Sequence, residues 1–154
     1  MTEIDDEWLP TEKMVQDFHL HTKMLKSLGT EIRELSKKKQ EGVLNLIKVK
    51  MINRVLEPLH NEILAHVPAR IFLDLLDEDS LPNNSDAVLV ISQYETAIIE
   101  FTTMYQRSFK IDPFNTHHYW ATVEDPDGTA DFEDEEEYDD DETDDSMESE
   151  NDGA

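Results

Sequence analysis

The C-terminal part of the chain is a polyanion, and this feature constrains folding more than any other in the sequence. Residues 124–154 contain eighteen of the thirty-seven carboxylates in the chain and neither Lys nor Arg. Eleven of the fourteen residues from Phe132 to Asp145 are Asp or Glu. Because few apolar side chains are available there, burial cannot offset the conformational entropy that is lost on ordering. We therefore predict that residues 124–154 form a disordered acidic tail.

The acidity belongs to this tail rather than to the rest of the chain. Of the formal net charge of −24, residues 124–154 contribute −18 and residues 1–123 contribute −6. A dense run of carboxylates attracts cationic surfaces, and added salt screens that attraction. The acids that we expect to contact a cationic partner are Asp134, Glu135, Glu136, Glu137, Asp139, Asp140, Asp141, Glu142, Asp144 and Asp145.

The composition excludes several classes of protein. With 154 residues, the chain leaves room for one ordinary domain beside the tail. It has no cysteine, which excludes a disulfide scaffold and a thiolate metal site. The acidic start is unlike a signal peptide, and the longest apolar run, Ala87 to Ile91, is far shorter than the roughly 18 residues that span a bilayer. We predict a cytoplasmic protein, with nuclear or virion-associated locations as alternatives, that does not bind membranes.

Apolar residues recur at helical spacing along most of the chain before the tail. Thr11 is a suitable N-cap for a first helix, and the apolar rhythm continues through Gly29, which favours one straight or kinked helix over two. A second helical pattern covers residues 43–66, where Pro58 should kink or split the helix. Pro68 should begin a short helix. The buried side of that short helix is predicted to consist of Ile71, Phe72, Leu75 and Leu76.

The clearest helical pattern follows a polar loop at residues 77–86. It predicts a last helix with Ser85 as its N-cap and Asp112-Pro113 as its end, although the β-branched run at residues 87–91 would also suit a strand. Its apolar positions are Ala87, Ile91, Tyr94, Ile98, Phe101, Tyr105 and Phe109. The sequence therefore predicts an all-α fold, a small helical bundle with a disordered acidic C-terminal tail.

This pattern divides the chain into three parts. Residues 1–10 form a flexible lead, residues 11–123 form the bundle, and residues 124–154 form the tail. The bundle ends in an aromatic segment that includes Tyr119 and Trp120. Exposed aromatic side chains of this kind can dock onto a partner. We favour the alternative that the segment is a strap covering the helices.

A basic stretch is the second candidate site. Two carboxylates, Glu34 and Glu41, oppose its seven cations, which are Arg33, Lys37, Lys38, Lys39, Lys48, Lys50 and Arg54. Such a stretch can be a solvated helix face, or it can contact nucleic acid or an acidic protein. A flexible tail of this length reaches roughly 30 Å, so the tail itself is a third possible contact.

No pattern in the sequence identifies a reaction, a cofactor or a metal site. The six histidines lack the spacing that zinc needs. The spacing of Arg54 and His60 resembles the Arg–His pair of helical ribonucleases of the HEPN type, which would imply an RNase. Those enzymes usually have a polar residue after the Arg, whereas Val55 follows it here and Pro58 interrupts the spacing. We therefore do not assign the chain to that family and expect a protein that is not an enzyme.

The function that the sequence favours is non-catalytic interaction. The acidic tail would engage or shield the cationic surface of a basic protein or of a nucleic-acid-binding protein, as in an assembly chaperone, a scaffold or a DNA mimic of cellular, viral or phage origin. The alternative is a nucleic-acid-binding regulatory protein that uses the basic stretch, with the tail as an internal competitor. The broad apolar face of residues 43–66 also suggests a homodimer.

Overall fold

Three helices and a β-hairpin make up the body of the molecule. The computed structural model describes residues 7–133; residues 1–6 and 134–154 lie outside the described range. In chain order the elements are α1 (Glu12–Lys38), α2 (Leu46–Pro58), a π-helical turn (Leu59–Ile63), a 3₁₀ turn (Pro68–Phe72), α3 (Asn84–Tyr105), β1 (Gln106–Asp112), β2 (Asn115–Trp120) and α4 (Ala130–Glu133). Within this range no helix is both long enough and apolar enough to cross a membrane.

Helix α1 is continuous, as its apolar rhythm predicted. The Thr11 hydroxyl accepts a hydrogen bond from the Met14 amide at 3.1 Å, which confirms Thr11 as the N-cap. Gly29 lies within the helix and is buried against α3, where an added Cβ would come within 3.4 Å of Ile91. The missing side chain at Gly29 therefore allows α3 to approach α1 closely.

The second helical stretch is divided at Pro58, also as predicted. Helix α2 begins after Asn45, whose side chain accepts a hydrogen bond from the Lys48 amide at 2.9 Å. It ends at Pro58, and a π-helical turn continues to Ile63. Proline lacks the amide hydrogen that a regular helix donates to the preceding turn, which accounts for the change of backbone at this position.

Helix α3 forms where the longest apolar pattern lies, so the competing strand interpretation is wrong. The N-cap is Asn83 rather than Ser85, because the Asn83 side chain accepts a hydrogen bond from the Asp86 amide at 2.8 Å. Helix α3 is antiparallel to α1, since Phe18 near the start of α1 stacks on Phe101 near the end of α3 at 4.5 Å. The buried faces of α1, α2 and α3 form a single core.

The prediction of an all-α fold is wrong, because a β-hairpin follows α3 directly. The predicted helix would have continued through Phe109, but α3 ends at Tyr105. Strand β1 pairs antiparallel with β2, and Arg107 lies opposite Tyr119. The side chains of β1 alternate over its first five residues, with Arg107 and Phe109 half-buried and their neighbours exposed. The molecule is therefore a mixed α/β protein that is mostly helical.

Asp112 fixes the reversal between the two strands. Its carboxylate accepts hydrogen bonds from the backbone amides of Phe114 and Asn115 at 2.8 and 2.9 Å. The Asn115 side-chain amide donates to the same carboxylate, and together these bonds lower the pKa of Asp112. A local Asx turn of this kind competes with helix continuation, which explains why the helical pattern does not extend to Asp112.

The short 3₁₀ turn begins at Pro68, as expected, but it does not bury the predicted side. Ile71, Phe72 and Leu75 are exposed, Leu76 is buried as predicted, and Leu73 is buried although it was not predicted to be. The side-chain amide of Asn53 on α2 holds Leu76 in place: its oxygen accepts from the Leu76 amide at 2.9 Å, and its nitrogen donates to the Leu76 carbonyl at 2.8 Å.

Candidate functional site

The hairpin packs against the end of the helical body at which α1 begins and α3 ends. Trp120 on β2 lies 5.6 Å from Phe18 and 6.0 Å from Phe101, measured between ring centroids. The hydrogen bonding between the two sides of the hairpin extends one residue beyond the strands, because the Ala121 amide donates to the Tyr105 carbonyl at 2.7 Å. The hairpin is thus fixed to the helices through its last strand.

The chain after the hairpin folds back over β2 and is held by an aromatic clamp, which we define as Phe109, His117, Tyr119 and Phe132. Gly128 is buried under the Tyr119 ring and has a φ of +72°, a conformation that favours glycine. An imidazole nitrogen of His117 lies 3.0 Å from the Gly128 carbonyl oxygen. The Phe132 ring is 5.0 Å from that of His117 and 6.1 Å from that of Phe109.

The first residues of the described chain also pack against the end of the body that carries the hairpin. Trp8 stacks on His66 at 4.1 Å and contacts Tyr105 edge-on at 5.6 Å. Two hydrogen bonds then join this segment to the chain after the hairpin. The Val123 amide donates to the Pro10 carbonyl, and the Glu12 amide donates to the Glu124 carboxylate, both at 2.9 Å. A carboxylate at the N-terminus of α1 is also favourable for the helix dipole.

This end of the molecule is acidic. An open cleft of about 390 Å³ lies between α1 and β2, and its lining includes Glu12, Asp125 and Asp131. Two of the cations at this end have carboxylate partners: Arg107 bonds Glu7 at 2.6 Å, and Lys13 bonds Asp17 at 2.9 Å. The carboxylates of the cleft are therefore not neutralised by these cations.

The predicted partner-binding acids, Asp134 to Asp145, lie outside the described residues, and so does most of the predicted disordered tail. The described chain includes the first ten residues of the predicted tail, 124–133, and ends at Glu133 in α4. The aromatic clamp holds the residue before this point, Phe132. The polyanion is therefore attached to the acidic end of the folded body.

The structure does not gather the seven predicted cations on one face. Arg33 lies towards α3 and bonds Glu95 at 2.5 Å, while Lys37 bonds Glu34 at 3.2 Å. Lys38 and Lys39 are exposed where α1 ends. The remaining cations lie on α2 and are Lys48, Lys50 and Arg54.

The exposed cations of α2 are interleaved with apolar side chains. Lys50 and Arg54 are one turn apart, on the side of α2 that also carries Ile47 and Met51, both exposed. Lys48 lies beside a groove between α1 and α2 whose lining is otherwise mostly apolar. This surface is mixed rather than uniformly basic, and it lies near the end of α1 opposite to the acidic cleft.

Both candidate docking aromatics make contacts within the molecule. Tyr119 covers Gly128, and Trp120 packs on the core, as a strap over the helices would. Sequence reasoning did not identify Gly128 and Phe132 as parts of this arrangement. The Asp127-Gly128 dipeptide is a turn signal, and Phe132 is an isolated aromatic residue before the acidic run, so both signals were present in the sequence.

His60, one half of the Arg–His pair noted in the sequence, makes contacts within the molecule. The ring nitrogens of His60 lie 2.8 Å from the Asn61 side chain and 3.2 Å from the Leu73 carbonyl, so both have intramolecular partners. No three His, Asp or Glu side chains of these residues are grouped so as to hold a metal ion. Comparison with protein-family models, with curated proteins and with solved structures finds no match in any of the three.

Proposed function

We propose that the protein is a non-catalytic interaction module whose acidic C-terminal region engages or shields cationic surfaces. The partner would be a basic protein, or the cationic site of a nucleic-acid-binding protein. An assembly chaperone, a scaffold and a nucleic-acid-mimicking inhibitor all act through this chemistry. The observation that carries the proposal is the segregation of charge: the acidic cleft and the attachment point of the polyanion lie at the same end of the body.

The physical basis is multivalent attraction between carboxylates and cations. Eighteen carboxylates without Lys or Arg create a field that steers cationic partners and competes with phosphate groups for the same sites. The mixed surface on α2 gives less support to the nucleic-acid-binding alternative, because exposed Ile47 and Met51 separate its cations. A phosphate backbone is bound by Lys and Arg, and apolar side chains contribute little to such contacts.

The test uses a fluorescein-labelled 20-residue peptide of Lys, Arg and Gly as the probe. We expect the full chain to bind it, and we expect the affinity to fall by roughly tenfold or more between 50 and 200 mM NaCl. Replacing the ten acids between Asp134 and Asp145 by Asn or Gln should abolish most of the binding. A matched variant that exchanges Asp for Glu and Glu for Asp at the same positions should bind as the native chain does.

Two results would contradict the proposal. One is an affinity for the peptide that salt does not change. The other is equal binding by the amide variant and the Asp/Glu exchange variant. If deletion of residues 134–154 instead created strong binding to a DNA duplex, the alternative function with the tail as internal competitor would be favoured.

A further inference from the structure

The outward face of α3 is uncharged, which is unusual in a chain of which 32% is charged. From Ala87 to Gln106 the only charged residues are Glu95 and Glu100. Glu95 bonds Arg33, and Glu100 accepts a hydrogen bond from the Ala69 amide at 2.8 Å. The outward stripe has spacings of three and four residues and consists of Leu89, Ser92, Thr96, Ile99 and Thr103.

Several exposed apolar side chains lie on this face or beside it. Leu89 is 61% exposed and Ile99 is 67% exposed. Beside them the 3₁₀ turn presents Ile71 at 80% and Phe72 at 64% exposure. A depression of about 240 Å³ lies between the turn and α3, lined by Ala69, Phe72, Ser92, Gln93 and Thr96. The outward face of α3 therefore combines exposed apolar side chains with uncharged hydroxyl groups, and exposed apolar side chains that border a depression are a feature of protein interaction sites.

We propose that the outward face of α3 is a homodimer interface, occupied by α3 of a second copy of this chain. Charge selects the occupant, because two copies with a formal net charge of −24 each repel one another wherever they meet through charged surfaces. The stripe on α3 carries no charge of its own, and of the two carboxylates beside it Glu95 is paired with Arg33 and Glu100 accepts a hydrogen bond from the Ala69 amide. Its spacing of three and four residues is that of a packed helix pair.

The broad apolar side of α2, from which the sequence suggested a homodimer, is a poorer dimer surface than the outward face of α3. A two-fold contact through α2 would set Lys50 and Arg54 of one copy against the same residues of the other. On α3, a two-fold axis at Thr96 with antiparallel helices places each Leu89 opposite Thr103 of the second copy. It also places each Ile99 beside Gln93 of the second copy, at the mouth of the depression that Phe72 lines.

The first experiment measures the mass of the full chain by sedimentation equilibrium between 50 and 500 mM NaCl. We expect a dimer that strengthens with salt, because screening reduces the repulsion between two acidic copies. Ile99→Glu should raise the dissociation constant by roughly tenfold or more, since it would bury an unpaired charge. Leu20→Glu is the matched control: it adds the same charge at an exposed apolar position of α1 and should leave the dimer intact.

The second experiment uses the absence of cysteine from the chain. Thr96→Cys should form an intermolecular disulfide under mild oxidation, because the axis brings the two copies of this position together. Ser27→Cys, exposed on α1, should cross-link far less at the same protein concentration. The inference is overturned if the native chain is monomeric at 500 mM NaCl. It is also overturned if Ile99→Glu and Leu20→Glu dimerise equally, or if the two cysteine variants cross-link at equal rates.

Discussion

Replacing Gly128 by Ala tests whether the aromatic clamp stabilises the folded protein. At a φ of +72° a residue with a side chain is strained by about 1–2 kcal/mol relative to glycine. The added Cβ would overlap the Tyr119 ring, so the ring must move away. The movement weakens the stacking of Tyr119 on His117 and the contact of His117 with the Gly128 carbonyl, each of which contributes about 1 kcal/mol. We therefore expect Gly128→Ala to lower the free energy of unfolding by about 2–4 kcal/mol in total.

The assay is urea denaturation followed by tryptophan fluorescence. Both tryptophans report on this end of the molecule, because Trp8 stacks on His66 and Trp120 packs on Phe18. The added Cβ overlaps only the Tyr119 ring. In a Tyr119→Ala background Gly128→Ala should therefore lower the free energy of unfolding by less than in the native chain, because only the backbone strain of about 1–2 kcal/mol remains. The reasoning is refuted if Gly128→Ala stays within about 0.5 kcal/mol of the native chain, a change typical of neutral surface positions. An equal cost in both backgrounds would refute the steric part.

Two further predictions concern buried polar groups. Asn53→Ala should lower the free energy of unfolding by about 2–4 kcal/mol in urea denaturation, because it leaves the buried Leu76 amide and carbonyl without their partners. Burial raises the pKa of the Tyr94 hydroxyl, so above pH 10 the unfolded chain loses this proton before the folded one, and stability falls. Tyr94→Phe should be slightly less stable at pH 8, having lost the hydrogen bond to the Asp74 carbonyl, but its stability should fall less steeply from pH 10 to 11.5. Parallel curves for the two proteins would contradict this.

The helices could be read from the sequence because their apolar patterns are long. Over twenty or more residues, the apolar pattern of α3 outweighs the strand that residues 87–91 alone would suit, and the N-cap of α1 at Thr11 could be named. The hairpin was missed because Tyr105 and Phe109 are four residues apart, which suits a helix, while the alternation in β1 covers only a few residues. The Asx turn at Asp112 decides between the two, and its partners became visible only in the structure.

The buried side of the 3₁₀ turn was predicted wrongly because the turn, like β1, is too short for its periodicity to be decisive. A helical periodicity applied to five residues places Ile71 and Phe72 on the same side as Leu75, but a 3₁₀ turn followed by extended chain does not keep that side. Of the candidate site, the charges could be predicted from the sequence alone. The point at which the polyanion is attached could not, because it depends on the packing of Phe132 against residues that are distant in the chain.

The two proposals together predict a bivalent protein. Antiparallel pairing of α3 places the two hairpin ends at opposite ends of the dimer, because each hairpin follows the C-terminus of its own α3. A helix of 22 residues is about 33 Å long, several times the screening distance of about 8 Å in physiological salt. The two polyanions would then repel each other little and could engage two cationic sites at once.

This arrangement separates affinity from avidity in one measurement. Ile99→Glu should bind the free cationic peptide as the native chain does, because the site of substitution is remote from the polyanion. On a surface densely coated with the same peptide, the native dimer should dissociate more slowly than the variant, since two attachments must be broken. Equal dissociation rates from the dense surface, with a dimer demonstrated in solution, would mean that the two acidic regions do not act together. The prediction of a bivalent protein would then have to be abandoned, although the dimer itself would stand.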